Sequence, residues 1–588
     1  MKLPHSSQMP TLSEPSPSAA AGAPLYRRFL MFIAGLGGLL YGIDIGIISA
    51  ALLYLSKTVD LTVGQTSVIV AAVLGGSMLS SVVAGILADV LGRKKMMSVS
   101  GLLFVSSVLL IVLSHGFTML FLGRLLQGLS GGVIAVVVPL YLAETLPAET
   151  RGQGSAIFQF MLTFGIVMAA CVGWYFIRHA EFTIAAAHGN AALILAAQNH
   201  AWRGMFLSVI YPGLLFWGGT FVLSESPRWL LRKGRPEKAY AALLRSSAPT
   251  HAAIEFAQME QALHEATTKS GSNESAGPLL RRKYILPFAL ACLVLACNQA
   301  TGINSILGYL SLILKQAGMS PTHATQGDMA VKLVNCLMSL VAIALIDRKG
   351  RRFLLMVGTA GAVVALSLTA FLFHGEEAIR HDVRPGLQAS IAGNRLTLPP
   401  ASLTRWSPGE HGQMILTVVY SYGNGEKIAT LSSNSAETLS LAPDPGSTAN
   451  QALTIRRAYI SPQPSPQQRW GIMLAIGLFI ASFAIGPGVV VWLMLSELMP
   501  TRIRSVGMGV ALLVNQGVST FIAGIFLPTV TNHGYSTMFA VWAGCTVLYF
   551  LTSAFLLPET KGKTLEEIEQ SFEVAHVPAL RRKEAGAS

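Results

Sequence analysis

Charge is what this chain lacks most. Only 12% of its 588 residues are Asp, Glu, Lys or Arg, against about 25% in an ordinary soluble domain. At 52% hydrophobic residues, such a chain does not fold as a string of water-soluble domains; its main solvent is lipid. Cysteine is scarce too. Cys171, Cys292, Cys297, Cys336 and Cys545 all fall inside apolar runs, which excludes a disulfide framework and a thiolate metal site. H-E-x-x-H and G-x-S-x-G are missing, and no catalytic carboxylates cluster in the apolar runs, so the chain does not read as an enzyme. The His residues are scattered, with His374, His381 and His411 in or beside one long polar insertion. They read as surface residues, and neither a metal nor a cofactor is implied. Residues 1–24 are rich in Ser, Pro and Ala but have no apolar core. They read as a disordered tail rather than a cleavable signal.

What is present is length without charge. A run of about 20 apolar residues crosses a bilayer as a helix. Twelve such runs occur, at 29–55, 65–91, 96–114, 117–143, 152–177, 203–224, 284–314, 328–346, 353–373, 470–496, 505–528 and 535–557. The net charge of +13 does not mark a nucleic-acid partner, because the cations sit on alternate connections. Arg93, Lys94, Lys95, Arg228, Arg232, Arg281, Arg282, Arg348, Arg351, Arg504 and Lys561 share one side, whereas 56–64, 115–116 and 529–534 carry only Lys57. That asymmetry follows the positive-inside pattern. It predicts that the basic loops and both termini are cytoplasmic, in the cell membrane (the inner membrane of a Gram-negative cell).

The cationic loops occur twice. Asp89-Val90-Leu91-Gly92-Arg93-Lys94 returns as Asp347-Arg348-Lys349-Gly350-Arg351-Arg352. Glu144-Thr145-Leu146-Pro147, closing on Arg151, returns as Glu497-Leu498-Met499-Pro500, closing on Arg504. A duplicated membrane bundle is the architecture of secondary transporters, with the substrate site between the repeats. The first motif recurs at an offset of 258 (347 minus 89) and the second at 353 (497 minus 144). The second half therefore carries 95 extra residues, placed at 374–468. A third marker, Glu225-Ser226-Pro227-Arg228 against Pro558-Glu559-Thr560-Lys561, has an offset of 334, 19 less than 353. The first half thus holds 19 extra residues, most simply at 178–202. By parity both insertions lie outside the cytoplasm. Within the larger one, Met414–Tyr420 and Lys427–Leu431 flank Gly423-Asn424-Gly425, which reads as a hairpin. A small β-rich domain and a partly ordered loop with one hairpin both fit.

The expected organisation is a disordered tail (1–24), a six-helix bundle (25–224), a cytoplasmic helical linker (225–283), helices seven to nine (284–373), the insertion (374–468), helices ten to twelve (469–557) and a cytoplasmic tail (558–588). Pro236–Leu244 and Ile254–Thr267 in the linker have amphipathic spacing.

The motifs, as an ordered set, resemble the sugar porter family of the major facilitator superfamily. They comprise Gly85 to Lys94; Gly123-Arg124; Pro139 to Glu144 with Arg151-Gly152; Glu225 to Leu230; Asn298-Gln299 with Gly302-Ile303-Asn304; Asp347 to Arg351; Ser496-Glu497; and Pro558 to Gly562. The resemblance implies an all-α fold of twelve transmembrane helices in two bundles, acting as a monomer on a sugar and a proton. It places Gln159, Gln299, Asn304, Asn335, Trp492 and Asn515 on the sugar; Asn298 stands where the family often has Gln. Amides suit a ring of hydroxyls because they both donate and accept. The competing reading is that membrane amides simply tie helices together. Ile166 and Gly308 replace a glutamine and a tyrosine of the bacterial xylose–proton symporter, so xylose itself is not the expected cargo.

Asp44, in Gly42-Ile43-Asp44-Ile45-Gly46 within the first run, is the costliest charge. An ionisable residue at membrane depth is a functional candidate, and Arg124 is its natural partner. In the resembled symporters an Asp stands at this position, which implies that Asp44 and Arg124 couple transport to a proton. A static pair in a facilitative uniporter is the alternative, and a transport-dead sugar sensor a third reading. Asp89, Arg93, Glu144, Arg151, Glu225, Asp347, Arg351, Glu497, Arg504 and Glu559 are expected to form a cytoplasmic latch between the halves.

Overall fold

The structure, a computed structural model, describes residues 17–271, 282–406, 413–423, 425–433, 438–443, 451–499 and 504–561; within these, the side chains at 17–23, 148, 149, 151, 265–271, 282, 283, 347, 404, 496 and 504–506 are outside the description. Apolar runs become helices because lipid offers backbone groups no other partner. The first half contains α1 (Pro17–Thr58), α2 (Val63–Leu91), α3 (Arg93–Val112), α4 (Phe117–Thr145), α5 (Ala148–Ala186), α6 (Ala191–Ser208) and α7 (Ile210–Val222). The linker forms α8 (Pro227–Arg232), α9 (Pro236–Ser246) and α10 (Pro249–Gly271). The second half begins with α11 (Arg282–Ala300), α12 (Ile303–Gln316), α13 (Pro321–Lys349) and α14 (Arg351–Ala378). After the insertion, which holds α15 (Arg384–Ala389), come α16 (Pro466–Ile485), α17 (Pro487–Leu498) and α18 (Arg504–Leu551).

Three spans are built from two helices each: α6 with α7, α11 with α12, and α16 with α17. Conversely α18 is two spans, broken at Gly534 (φ 85°). The described helices thus make twelve crossings, as expected. Two boundaries differ from the sequence reading. The first helix begins at Pro17, inside the stretch expected to be tail. The extra residues placed at 178–202 lengthen α5 and α6, which leaves only a turn at 187–190 between them. At 39 residues, α5 is about 58 Å long, well beyond the roughly 30 Å of hydrocarbon. Its projecting end is held by Glu181, which accepts from the Tyr54 hydroxyl.

The insertion is a small β domain. Strands β1 (His381–Asp382), β3 (Met414–Ser421), β4 (Lys427–Ser432) and β6 (Thr454–Pro462) form one antiparallel sheet in the order β1-β6-β3-β4. A second sheet pairs β2 (Leu396–Leu398) with β5 (Leu439–Leu441). The expected hairpin is β3–β4, with Tyr420 opposite Lys427; Asn424 of its turn lies outside the described residues. Period-two alternation turns Leu416 and Val418 inward against Leu387, Leu403, Ile455, Ala458 and Ile460. This domain rests on both halves. The Glu426 carbonyl accepts from the backbone N–H of Val63 at the start of α2 (2.8 Å), and Lys427 pairs with Asp60 in the α1–α2 connection. On the other side Arg457 donates to the Thr531 and Asn532 carbonyls at 2.8 and 2.6 Å.

Candidate functional site

An amide cluster forms where α11 gives way to α12. The break is Gly302, whose φ of 81° and position within 3 Å of the Trp542 ring at any added Cβ leave no room for a side chain. It turns Gln299 and Asn304 toward each other. Asn304 Nδ2 donates to Gln299 Oε1 (2.9 Å) and to Ser519 Oγ (2.8 Å), and Gln299 Nε2 reaches Asn515 Oδ1 at 3.4 Å. Gln299 Nε2 also lies 3.3 Å from Asn298 Oδ1, so four of the expected residues are joined. Asn298 faces both ways: its Oδ1 accepts from Gln299, while its Nδ2 donates to the Pro487 carbonyl at the α16–α17 break (3.0 Å). It thus links the amide cluster to the α16–α17 break. Gln159 on α5 and Asn335 on α13 flank a meeting point of the halves, where Thr163 Oγ1 lies 3.6 Å from Cys336 Sγ. Asn335 is buried, Gln159 half-buried and Trp492 on α17 is 40% exposed. None of these three joins the Gln299–Asn304–Asn515 bonds. Gln516, beside Asn515, reaches the Tyr41 hydroxyl and Ser77 Oγ in the other half, each at 3.5 Å.

Asp44 and Arg124 are both 1% exposed, but they are not the ion pair expected. Arg124 Nη1 donates to Gln127 Oε1 at 2.7 Å, and its guanidinium stands 5.7 Å from the Phe206 ring. Gln127 and Arg124 neighbour the Asp44 carboxylate, but neither meets it with hydrogen-bond geometry, and both of its oxygens are buried without a partner.

The basic-loop end carries two mirrored clusters. In the first half Arg93 binds Asp89 (2.7 Å) and Glu144 (2.8 Å), and Arg232 binds Glu144 at 3.1 Å. Glu225 accepts from the backbone N–H groups of Arg93 and Lys94 at 2.8 and 3.0 Å, where orphan donors at a helix start favour an anion. Ser226 Oγ donates to Glu144. The second half repeats three of these parts. Arg351 pairs with Glu497 (3.4 Å), Glu559 accepts from the N–H groups of Arg351 and Arg352 (both 3.1 Å), and Thr560 donates to Glu497. Gly92 (φ 103°) and Gly350 (φ 90°) explain the invariant glycine of the repeat, since a Cβ there meets Glu225 or Glu559. The side chains of Arg151, Asp347 and Arg504 lie outside the described ones. Among the described residues, no ion pair crosses between the halves at this end.

At the insertion end the halves are clasped. Leu527 N–H donates to Ser67 Oγ (3.2 Å), and the Tyr309 hydroxyl lies 3.5 Å from the same oxygen. Deeper in, Ser49 Oγ of α1 donates to Asp328 Oδ1 (3.2 Å) and lies 3.0 Å from Ser311 Oγ. Asp328 pairs with Lys332 at 2.7 Å, and Lys332 Nζ donates to the Gly46 carbonyl (3.1 Å). Sequence reasoning overlooked this pair. The signal was there: two opposite charges four residues apart in an apolar run share a helix face.

A family model described as "Sugar (and other) transporter" matches residues 30–385 and 454–572. The putative metabolite transport protein YwtG of Bacillus subtilis is 29% identical over 92% of this chain and 94% of its own length. The glucose transporter GlcP of Staphylococcus epidermidis is 27% identical, over 92% and 96%. The human proton myo-inositol cotransporter is also 27% identical, over 94% and 82%. Among solved structures, the inward-open xylose transporter XylE of Escherichia coli superposes with a TM-score of 0.64 at 21% identity, covering 92% of this chain and 98% of XylE. That likeness establishes the shared fold.

Proposed function

The chain belongs to the sugar (and other) transporter family, is a multi-pass membrane transporter and not an enzyme, and from that premise we propose that it imports a monosaccharide or polyol by proton symport. The observation that carries the coupling is Asp44. An ionised carboxylate buried without donors is costly, and a bound proton removes that cost. Arg124, a neighbour of that carboxylate, offers the charge partner of the opposite state. Relatives named for glucose and for proton-coupled myo-inositol transport favour a hexose or polyol cargo. Gln299, Asn304 and Asn515, with Gln159, Asn335 and Trp492, form its site. Their mutual hydrogen bonds are exchanged for sugar hydroxyls at little net cost.

With the basic loops in the cytoplasm of the inner or plasma membrane, this conformation is inward-facing. The outer end is clasped, and each cytoplasmic cluster closes on its own half. In the outward-facing state the two clusters meet and act as the latch; the protein works as a monomer. Reconstituted in liposomes, the protein takes up labelled sugars from a hexose and polyol panel faster with an inward proton gradient, and sugar addition alkalinises the medium. Asp44→Asn abolishes the alkalinisation but keeps sugar exchange. Uptake indifferent to the gradient, or an unchanged pH signal in D44N, overturns coupling and leaves a uniporter.

A further inference from the structure

Lys332 and Asp328 have no assigned role, yet they are among the most deeply buried charges in the molecule, at 0% and 1% side-chain exposure. Asp328 lies seven residues into α13, about 10 Å from its insertion-side start. Two charges at that depth persist only if paired and hydrogen-bonded. Within α13 they supply only each other. The remaining polar contacts are Ser49 Oγ and the Gly46 carbonyl, both on α1 in the opposite half, and Ser311 on α12, which neighbours both Ser49 and Asp328. Gly46 is two residues from Asp44, and Lys332 is one turn from Asn335. The pair therefore ties the turn bearing the proposed proton site to the turn bearing a proposed sugar contact, across the boundary that must open outward.

We propose that Asp328 and Lys332 form a buried polar pin that holds the insertion-side gate shut, by completing their hydrogen bonds only when α1 of the opposite half is docked on α13. When the gate opens, Ser49 and Gly46 depart and water replaces them, so the pair remains solvated in both states. Neither state holds an isolated charge in a dry site. They are positioning residues; no contact with substrate is required. The proposal rests on the alternating-access reading above.

The pin makes an unusual demand on mutants. Removing one partner strands the other charge in a dry site, a penalty relieved by opening the gate to water. Each single variant, Asp328→Asn or Lys332→Met, therefore shifts the population toward the open gate. Removing both charges with D328L/K332M makes the seam apolar and closes it again. The reporter is V70C in a background stripped of native cysteines. Val70 is 4% exposed and sits at the α2–α12 joint, beside Gly308. Labelling of V70C by an impermeant maleimide from the insertion side should rise tenfold or more in each single variant. It should fall to the parent rate or below in the double variant. Single variants as slow as the parent, or a double variant as fast as the singles, overturn the proposal. A merely structural role predicts that the double variant is the worst of the three. Should the single variants fail to reach the membrane, Ser49→Ala carries the test: it removes only the contact across the halves and should raise the rate a few-fold, and an unchanged rate overturns the pin. Labelling needs no substrate. Shifted labelling without sugar uptake would sink the sugar reading and leave the pin standing.

Discussion

The two ends of this bundle place their charges in opposite ways. At the basic-loop end each half closes its cations and carboxylates on itself: Arg93 with Asp89 and Glu144, Arg351 with Glu497. At the insertion end polar groups reach across: Ser49 to Asp328, Lys332 to Gly46, Lys427 to Asp60. Thus the basic-loop ends can part without breaking a described ion pair, whereas the insertion ends cannot. The difference teaches how a repeat becomes a machine. The duplicated clusters make each half a rigid body, and the residues that the repeat does not share decide which end is joined.

The halves are not equal within this scheme, and the largest expected effect tests that. Arg93 and Glu144 are 2% and 8% exposed, and Arg232 adds a second cation; Arg351 and Glu497 are 13% and 19% exposed and 3.4 Å apart. Breaking a buried pair by removing one partner costs about 3–5 kcal/mol, and the cost falls toward the roughly 0–1 kcal/mol of an exposed pair as water reaches it. Arg93→Ala should therefore lower the thermal unfolding midpoint in detergent far more than Arg351→Ala does. Equal losses would erase the distinction between the two clusters. Because these pairs stay within a half, neither variant should speed V70C labelling. If the clusters latch across the halves in the opposite state, both variants should slow it.

Much of this was legible in the sequence because it is periodic or duplicated. The spans follow from apolar length, and the mirrored clusters from two copies of D-x-x-G-R-[KR]. The hairpin β3–β4 follows from alternation around a glycine-rich turn. What stayed illegible is what depends on another element's position. Asp44 and Arg124 looked like a pair because both are buried charges, but Arg124 turns to Gln127 instead. Asn298 and Gln299 are adjacent amides that bond each other yet reach different helices, because a helix points successive residues about 100° apart. One faces Asn515 and the other Pro487. The extra residues at 178–202 were located by offset, but nothing local distinguished a loop from two longer helices.

The smallest expected effect concerns the insertion. Its Lys427 pairs with Asp60 of the first half, while Arg457 grips the α18 kink of the second. The domain thus bridges the insertion-end seam that the proposed pin would close from within. Lys427 is 19% and Asp60 49% exposed, so water and salt screen the pair, and its worth is at most about 1 kcal/mol. The Glu426 carbonyl keeps its bond to Val63 whatever stands at 427, since that contact is backbone to backbone. Lys427→Ala should therefore raise V70C labelling by no more than about fivefold, since 1.4 kcal/mol corresponds to tenfold. The increase should vanish in about 1 M salt, where the screening length is about 3 Å. Deep in the seam, the single pin variants should keep their effect at the same salt, because a buried charge is screened far less. A Lys427→Ala effect that survives high salt, or one as large as that of K332M, would mean that the strap and the pin are not the separate devices their burial implies.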